Sequence, residues 1–424
     1  MHIQTDRALI PAATTCVRHL QVLVSAPPAP GPTSASRLPV DVALVLDRSG
    51  SMDGSKITMA RTAVTHAVRL LKPADHLAVV CYDDEIDTVL ERASASREAK
   101  ALVFGRLAGI DARGSTNLSG GWLAGAHQLQ PETSAGAGVK RVLLLTDGLA
   151  NAGEVDPQAL AATAARLRAE GITTSTFGIG ADFDEELLAR LATQGGGHFY
   201  YIETARHIPD VFASELGETL DVVAHDAVFE VGWRPGMRVT LLNDLPVEPA
   251  PGGLRVRLGD LVADQEMTLI LAVSVETPVP LGSGIEVACR LSDRGQVLCA
   301  EPMRVDWPAV SDAENEAQPV NQAVVLAVAT MQAERARGRA LSANRRDAYD
   351  EAQHILAEAV RELRPLAAGN AVVEALLAQL QNEQEDFAEA MSPADRKQRH
   401  FRAYSISNGS RDVLGKAKRK AKAS

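Results

Sequence analysis

Aromatic residues are scarce in this chain: Phe, Trp and Tyr make up 4% of its 424 residues. A protein that grips single-stranded nucleic acid needs rings to stack on and a basic groove to follow. This chain offers few rings and a formal net charge of −11, so nucleic acid is not expected as its main partner. Cysteine is equally sparse. Cys16, Cys81, Cys289 and Cys299 show no metal-binding spacing and are expected to be free thiols. Cys81 falls in an apolar run and reads as a small buried hydrophobe; Cys289 and Cys299 are candidates to face each other across a hairpin. No apolar run is long enough to span a bilayer. The N-terminus lacks a basic region followed by an apolar stretch, so no signal peptide is expected and the cytoplasm is the expected compartment. No His-Glu-x-x-His occurs and the ten histidines are scattered, which leaves a zinc hydrolase unsupported. The stretch from Gly50 to Lys56 is glycine-rich but does not satisfy G-x-x-x-x-G-K-[ST], so a nucleotide-binding loop is not expected there.

What the chain does have is Asp47-Arg48-Ser49-Gly50-Ser51, directly after the apolar run Val42–Leu46. A buried strand ending in Asp-x-Ser-x-Ser presents one carboxylate and two hydroxyls on a tight loop. All are hard oxygen donors of the kind Mg²⁺ or Mn²⁺ prefers. A turn closing the strand through Asp or Ser side chains is the ordinary explanation of such a motif. Two further segments add to it. Arg113-Gly114-Ser115-Thr116-Asn117 lies between two helix-like stretches, with Asn117 a natural helix N-cap. Val142–Thr146 is a second apolar strand, followed by Asp147-Gly148.

Together these segments resemble the metal-ion-dependent adhesion site of von Willebrand factor A domains. The resemblance implies that Asp47, Ser49, Ser51, Thr116 and Asp147 hold Mg²⁺ or Mn²⁺, directly or through water. It implies a vacancy that an Asp or Glu side chain of a partner protein completes, and so binding rather than catalysis. No catalytic residue and no organic cofactor is assigned. Two alternatives stand: a metal-dependent hydrolase, with Asp84 and Glu85 as the nearest candidate bases, and a scaffold in which the metal only staples the loops. Tyr82-Asp83-Asp84-Glu85 reads as a solvated hairpin loop near the site. Arg48 and Arg113 read as solvent-facing, able to attract an acidic partner.

The same resemblance covers residues 38–222. Strands are expected at Val42–Leu46, Leu77–Tyr82, Val142–Thr146, Thr173–Gly178 and His198–Ile202, with Thr88–Leu90 as a short edge strand. Helices are expected near Ile57–Leu71, Ala99–Leu107, Leu118–Gln130, Pro157–Glu170, Asp184–Thr193 and Ile208–Leu220. Such alternation predicts a doubly wound, Rossmann-like α/β domain with a parallel sheet covered on both faces. In such a sheet, ligands bind beyond the carboxyl ends of the strands, where Asp47 and Asp147 fall.

The flanks differ. Residues 1–37 and 223–310 read as short alternating strands, among them one with Leu20, Val22 and Val24 on one face. They predict one β-sandwich into which the A domain is inserted. Residues 311–402 turn helical, with apolar stripes at Ala323, Leu326, Ala327, Thr330 and Met331, and at Ala348, Ala352, Ile355, Leu356, Ala359 and Leu363. Residues 403–424 end in a lysine-rich run and are expected to be a disordered tail. This organisation is similar to that of bacterial soluble A-domain proteins and, more distantly, of inter-alpha-trypsin inhibitor heavy chains. By analogy it implies an adaptor or assembly factor, such as the partners of chelatase-type ATPases. The oligomeric state is not legible.

Overall fold

The computed structural model describes residues 1–28, 39–130, 139–293, 296–298, 301–412 and 415–420. The chain divides into two compact units: Ala29–Val222, and Met1–Pro28 together with Val223–Ser424. No described helix is long and apolar enough to cross a membrane.

The second unit opens with strands β1 (His2–Thr5), β2 (Ile10–Pro11) and β3 (Cys16–Ser25). The chain then enters the α/β unit. Its strands are β4 (Val40–Asp47), β5 (His76–Tyr82), β6 (Ile86–Ser94), β7 (Val139–Thr146), β8 (Ile172–Ile179) and β9 (Gly196–Ile202). Its helices are α1 (Ser55–Leu70), α2 (Arg97–Leu107), α3 (Leu118–Gln128), α4 (Pro157–Ala169), α5 (Glu185–Gln194) and α6 (Ile208–Leu220). The sheet order is β6-β5-β4-β7-β8-β9, with only β6 antiparallel. Order therefore reverses between β4 and β7, which pair directly, and the crevice of a doubly wound sheet lies there.

The central strands are apolar throughout because both faces are covered. Every residue of β4 is buried, and Leu44, Leu46, Leu143 and Leu145 pack in one core with Ile57, Ala60, Val64 and Val68 of α1. Side-chain caps set several helix starts: Asn117 accepts from the Gly120 N–H, and Asp156 accepts from the Ala159 N–H ahead of Pro157. The edge strand β6 runs well beyond the expected Thr88–Leu90, because a register shift against β5 lets the pairing continue to Ser94.

After Val222 the chain forms β10 (Val222–Trp233), β11 (Met237–Leu241), β12 (Val247–Ala250), β13 (Gly253–Val262), β14 (Glu266–Val275), β15 (Gly284–Asp293), β16 (Gln296–Val297) and β17 (Met303–Val310). One sheet has the order β1-β3-β14-β11; another has β12-β13-β10-β15-β17-β2, with β16 pairing β15. Leu20, Val22 and Val24 of β3 share a core with Phe229, Val256, Leu269, Val287 and Trp307, drawn from both sheets. Cys289 pairs in register with Met303; Cys299 lies outside the described residues.

Helices α7 (Asp312–Ala317), α8 (Gln322–Arg345), α9 (Tyr349–Leu363), α10 (Ala371–Asp386) and α11 (Pro393–Ser407) complete this unit. The stripe expected on α8 is out of phase. Ala323 is exposed, whereas Val324, Val325, Val328 and Ala329 are buried. The helix is apolar on two sides. Val325, Ala329 and Ala333 join the helical core, while Val324, Val328 and Met331 pack with Leu242 and Ile270. A helix buried on two sides has no single stripe to read.

The expected loose tail is, in its described part, ordered. α11 runs to Ser407, and Ser410 and Arg411 are buried. The Thr268 N–H donates to the Gly409 carbonyl, Glu266 N–H to Lys418, and Lys420 N–H to Asp264. Main-chain pairing with the β13–β14 turn thus holds a segment whose side-chain composition alone reads as disordered.

Candidate metal centre

β4 and β7 are neighbours running in the same direction, so Asp47 and Asp147 emerge side by side at the carboxyl edge of the sheet. Both are completely buried. Asp47 Oδ1 accepts from the Ser49 N–H at 2.8 Å, which closes the turn. Its Oδ2 accepts from Thr146 Oγ1 at 2.5 Å and from the Tyr82 hydroxyl at 3.4 Å. Burial pushes the Asp47 carboxyl above its ordinary range, although the hydrogen bonds from Thr146 and Ser49 act in the opposite direction. The Tyr82 phenol is also held well above its usual value, by burial and then by the Asp47 charge.

The two serines point at each other and at the second carboxylate. Ser49 Oγ and Ser51 Oγ are 3.1 Å apart, and Ser51 Oγ donates to Asp147 Oδ1 at 2.8 Å. Thr116 arrives from the loop before α3. Asn151 fixes it by accepting from the Thr116 N–H at 2.7 Å, while the Thr116 carbonyl accepts from the N–H groups of Asn151 and Ala152. A methyl group placed on Gly148 would stand 3.2 Å from Thr116 Oγ1 and 3.3 Å from Asp47 Oδ2. Threonine, aspartate and the backbone of Gly148 therefore meet around one small space. The structure brings together all five residues singled out in the sequence.

Two carboxylates and three hydroxyls form a donor set of hard oxygens, suited to Mg²⁺ or Mn²⁺ and ill suited to Zn²⁺. Among the described residues, no cluster of three or more His, Cys, Asp or Glu side chains is placed to hold an ion. Asp47 fits a cation for a second reason: it is a buried carboxylate whose partners are only hydroxyls and an amide. Gly148 fits as well, since any side chain there would press on two of the five donors.

Several residues of this corner carry no obvious signal in the sequence. Lys56, in the first turn of α1, pairs with both Asp147 and Asp182 and donates to the Ser51 carbonyl at 3.1 Å. Burial alone would lower the Lys56 ammonium pKa, but Asp147 and Asp182 outweigh it and raise the value. Thr146 and Tyr82 bind Asp47 from the two flanking strands. Their position at the end of an apolar strand was the only available hint.

The acidic loop and the two arginines are arranged differently from expectation. Asp83 is fully buried rather than solvated. Its Oδ2 receives Arg48 Nε at 3.0 Å and Arg113 Nε at 2.7 Å. Arg48 also pairs with Asp87 and Arg113 with Glu85, so both guanidiniums are engaged within the chain. Main-chain bonds run between the same loops: Arg48 N–H to Tyr82 O, Arg113 N–H to Arg48 O, and Gly50 N–H to Gly114 O. Gly114 has φ of 67°, and a methyl group there would strike Asp84 Oδ1 at 1.9 Å, so only glycine fits this crossing. Asp83 thus ties the Asp47–Ser51 loop to the Thr116 loop.

Residues 41–214 match the model of the von Willebrand factor type A domain. The chain carries a von Willebrand factor type A domain. Domains of this type commonly bind other proteins. The chain is 29% identical over 245 residues to the uncharacterized protein YfbK of Escherichia coli, a match covering 55% of this chain and 42% of that protein. It is 31% identical over 173 residues to human inter-alpha-trypsin inhibitor heavy chain H4, covering 39% and 18% respectively. The chain therefore spans less than half the length of either relative. The solved structure of a von Willebrand factor type A protein from Catenulispora acidiphila superposes with a TM-score of 0.71 over 99% of this chain and 97% of that one, at 19% identity. At that identity the likeness is one of fold, and it extends beyond the A domain to both units.

Proposed function

We propose that the A domain binds Mg²⁺, or Mn²⁺, through Asp47, Ser49, Ser51, Thr116 and Asp147, and that an Asp or Glu side chain of a partner protein docks there. The chain then acts as a metal-dependent protein-binding adaptor and not as an enzyme. One observation carries this reading: five oxygen donors from three loops meet at the reversal point of the sheet, with both carboxylates buried. A bound divalent ion would supply a Lewis-acidic position for an incoming carboxylate. The protein's own part is orientation. Asn151 holds Thr116 in place, Asp83 joins the loops, and Ser51 is aligned by Asp147. With two carboxylates at most to offset the ion, and Asp147 already shared with Lys56, the site favours an additional anionic ligand. The two sheets and the helices of the other unit support reading that unit as a sandwich interrupted by the A domain. The cytoplasm is the compartment we assign.

The test is capture from the native host on immobilised protein, with Mg²⁺ or with chelator, comparing wild type with Thr116→Ala and Asp147→Asn. Proteins retained only by metal-loaded wild type are expected. Equal retention with chelator, from a protein shown calorimetrically to bind Mg²⁺, would reduce the metal to a staple. Absence of Mg²⁺ and Mn²⁺ binding would remove the reading altogether.

A further inference from the structure

Large apolar side chains stand exposed at the carboxyl edge of the A-domain sheet, beside the proposed metal corner. Leu149 is 52% exposed and Val155 48%, both on the loop from β7 to α4. Ile86, 40% exposed, opens β6 just beyond the end of β5. Apolar residues scattered singly over a surface need no explanation. These three are placed by the same loops that carry the donor set. Leu149 follows Gly148, where an added methyl group would meet Thr116 Oγ1 and Asp47 Oδ2. It stands two residues, about 7 Å of extended chain at most, beyond Asp147.

The rest of that loop is fastened to the start of α3. Asn151 and Ala152 donate their N–H groups to the Thr116 carbonyl, and the Glu154 N–H donates to Ser119 Oγ at 2.9 Å. Gly153 has φ of 72°, and a methyl group there would lie 2.3 Å from Asn117 Oδ1 and 2.6 Å from Ser119 Oγ. Val155, next after Glu154, is carried at the surface by that contact. Ile86 reaches the same turn of α3 from the β5–β6 hairpin: a methyl group on Gly120 would lie 2.7 Å from Ile86 Cδ1 and 2.8 Å from Asn117 Nδ2. Asn117, the neighbour of Thr116, is therefore approached by both loops. The exposed charges of these loops have one sign. Asp84, Glu154 and Asp156 face solvent, whereas Lys56 is engaged by Asp147, and Arg48 and Arg113 by Asp83. A second acidic residue on an incoming segment would meet like charge.

We propose that the partner segment docking at the metal carries a single Asp or Glu with a bulky apolar side chain within two residues of it. The carboxylate meets the ion, and the apolar side chain covers Leu149 and Val155. This inference rests on the metal-site reading above. Exposed carboxylates occur on every soluble protein, so contact with the ion alone selects no partner. Apolar burial beside it does, because covering one such side chain changes affinity by about tenfold or more.

The test exposes the full chain, in Mg²⁺, to a phage-displayed library of random peptides and releases bound phage with chelator. Released peptides are expected to carry one Asp or Glu with Leu, Ile, Val, Met or Phe within two residues. The most frequent of them is then synthesised and titrated. Replacing its apolar residue by Ser, or making Leu149→Ser or Val155→Ser in the protein, should each weaken binding by about tenfold or more. Mg²⁺ titration of each variant checks that the metal corner is intact; Val155, further along the loop, serves if Leu149→Ser disturbs it. Chelator-released peptides without an apolar neighbour, or full peptide affinity in both variants, would overturn the proposal and leave the metal reading standing. A chain that binds Mg²⁺ yet yields no such peptide would do the same. A chain that binds neither Mg²⁺ nor Mn²⁺ would remove both.

Discussion

Lys56 and Asp147, ninety-one residues apart, form an ion pair at the proposed metal corner. Ser51 Oγ occupies the other oxygen of the same carboxylate at 2.8 Å. Asp47, the neighbouring carboxylate, is met only by hydroxyls and the Ser49 amide. The two acids are therefore unequally compensated: one already has a cation and the other does not.

That inequality gives a prediction for Lys56. Its ammonium competes with a divalent ion for Asp147, by ordinary charge repulsion over a few ångströms. Lys56→Met should raise Mg²⁺ affinity by about tenfold, or roughly 1.4 kcal/mol. Calorimetric titration decides the matter; an unchanged or weaker affinity would mean the ammonium moves aside at no cost.

Gly148 supplies the second prediction. Alanine there would place a carbon 3.2 Å from Thr116 Oγ1 and 3.3 Å from Asp47 Oδ2. Both neighbours are held by hydrogen bonds and give way only by loosening the corner. Gly148→Ala should reduce Mg²⁺ affinity while costing no more than about 1–2 kcal/mol of stability. A variant with wild-type affinity would show that Thr116 is not a ligand.

Asp47 is both a candidate ligand and a structural acceptor. Asp47→Ala strands the Thr146 and Tyr82 hydroxyls in a buried place and should destabilise the domain by about 1–3 kcal/mol. Asp47→Asn keeps the shape and should cost less, yet still abolish Mg²⁺ binding. Urea unfolding beside titration separates the two effects. Retained Mg²⁺ binding in Asp47→Asn would place the ion elsewhere.

Asp83 carries a pH dependence. Burial raises its carboxyl, but the Glu85 amide, Arg113 and Arg48 outweigh burial and leave the value below the ordinary carboxylate range. A carboxyl lowered on folding contributes stability that is present above its unfolded value and lost as pH falls through the folded one. Asp83→Asn should therefore destabilise the protein by roughly 1.5–3 kcal/mol at neutral pH. The gap to wild type should close in strong acid. Denaturant midpoints at pH 7 and pH 3 measure it, and a gap that stayed constant would rule out the carboxylate charge as the cause.

The α/β unit was legible because its strands are buried on both faces and its helices on one. Val42–Leu46 and Val142–Thr146 leave no other use for their side chains, and Asp47 and Asp147 follow as strand ends. Ser49, Ser51 and Thr116 were singled out with the two aspartates only through the resemblance of their motifs to the A-domain site; strand ends alone point to Asp47 and Asp147. Asp83 was not legible. Its neighbours Asp84 and Glu85 are exposed, and nothing local says that Arg48 and Arg113 converge on it. Lys56 was hidden likewise, because its partners lie on other loops. The phase of α8 was lost because Val324 and Val325 face different neighbours. The ordering of residues 408–412 and 415–420 rests largely on backbone bonds, which side-chain composition does not encode.

The pairing of β3 with β14 joins strands separated by roughly 240 residues of chain. During synthesis at ~5–20 residues per second, β3 waits some tens of seconds for its partner. The inserted α/β unit has time to form in that interval. One edge of this ten-residue strand, the edge away from β1, stays unmatched meanwhile, so the nascent chain is most prone to sticking to its neighbours before β14 leaves the ribosome.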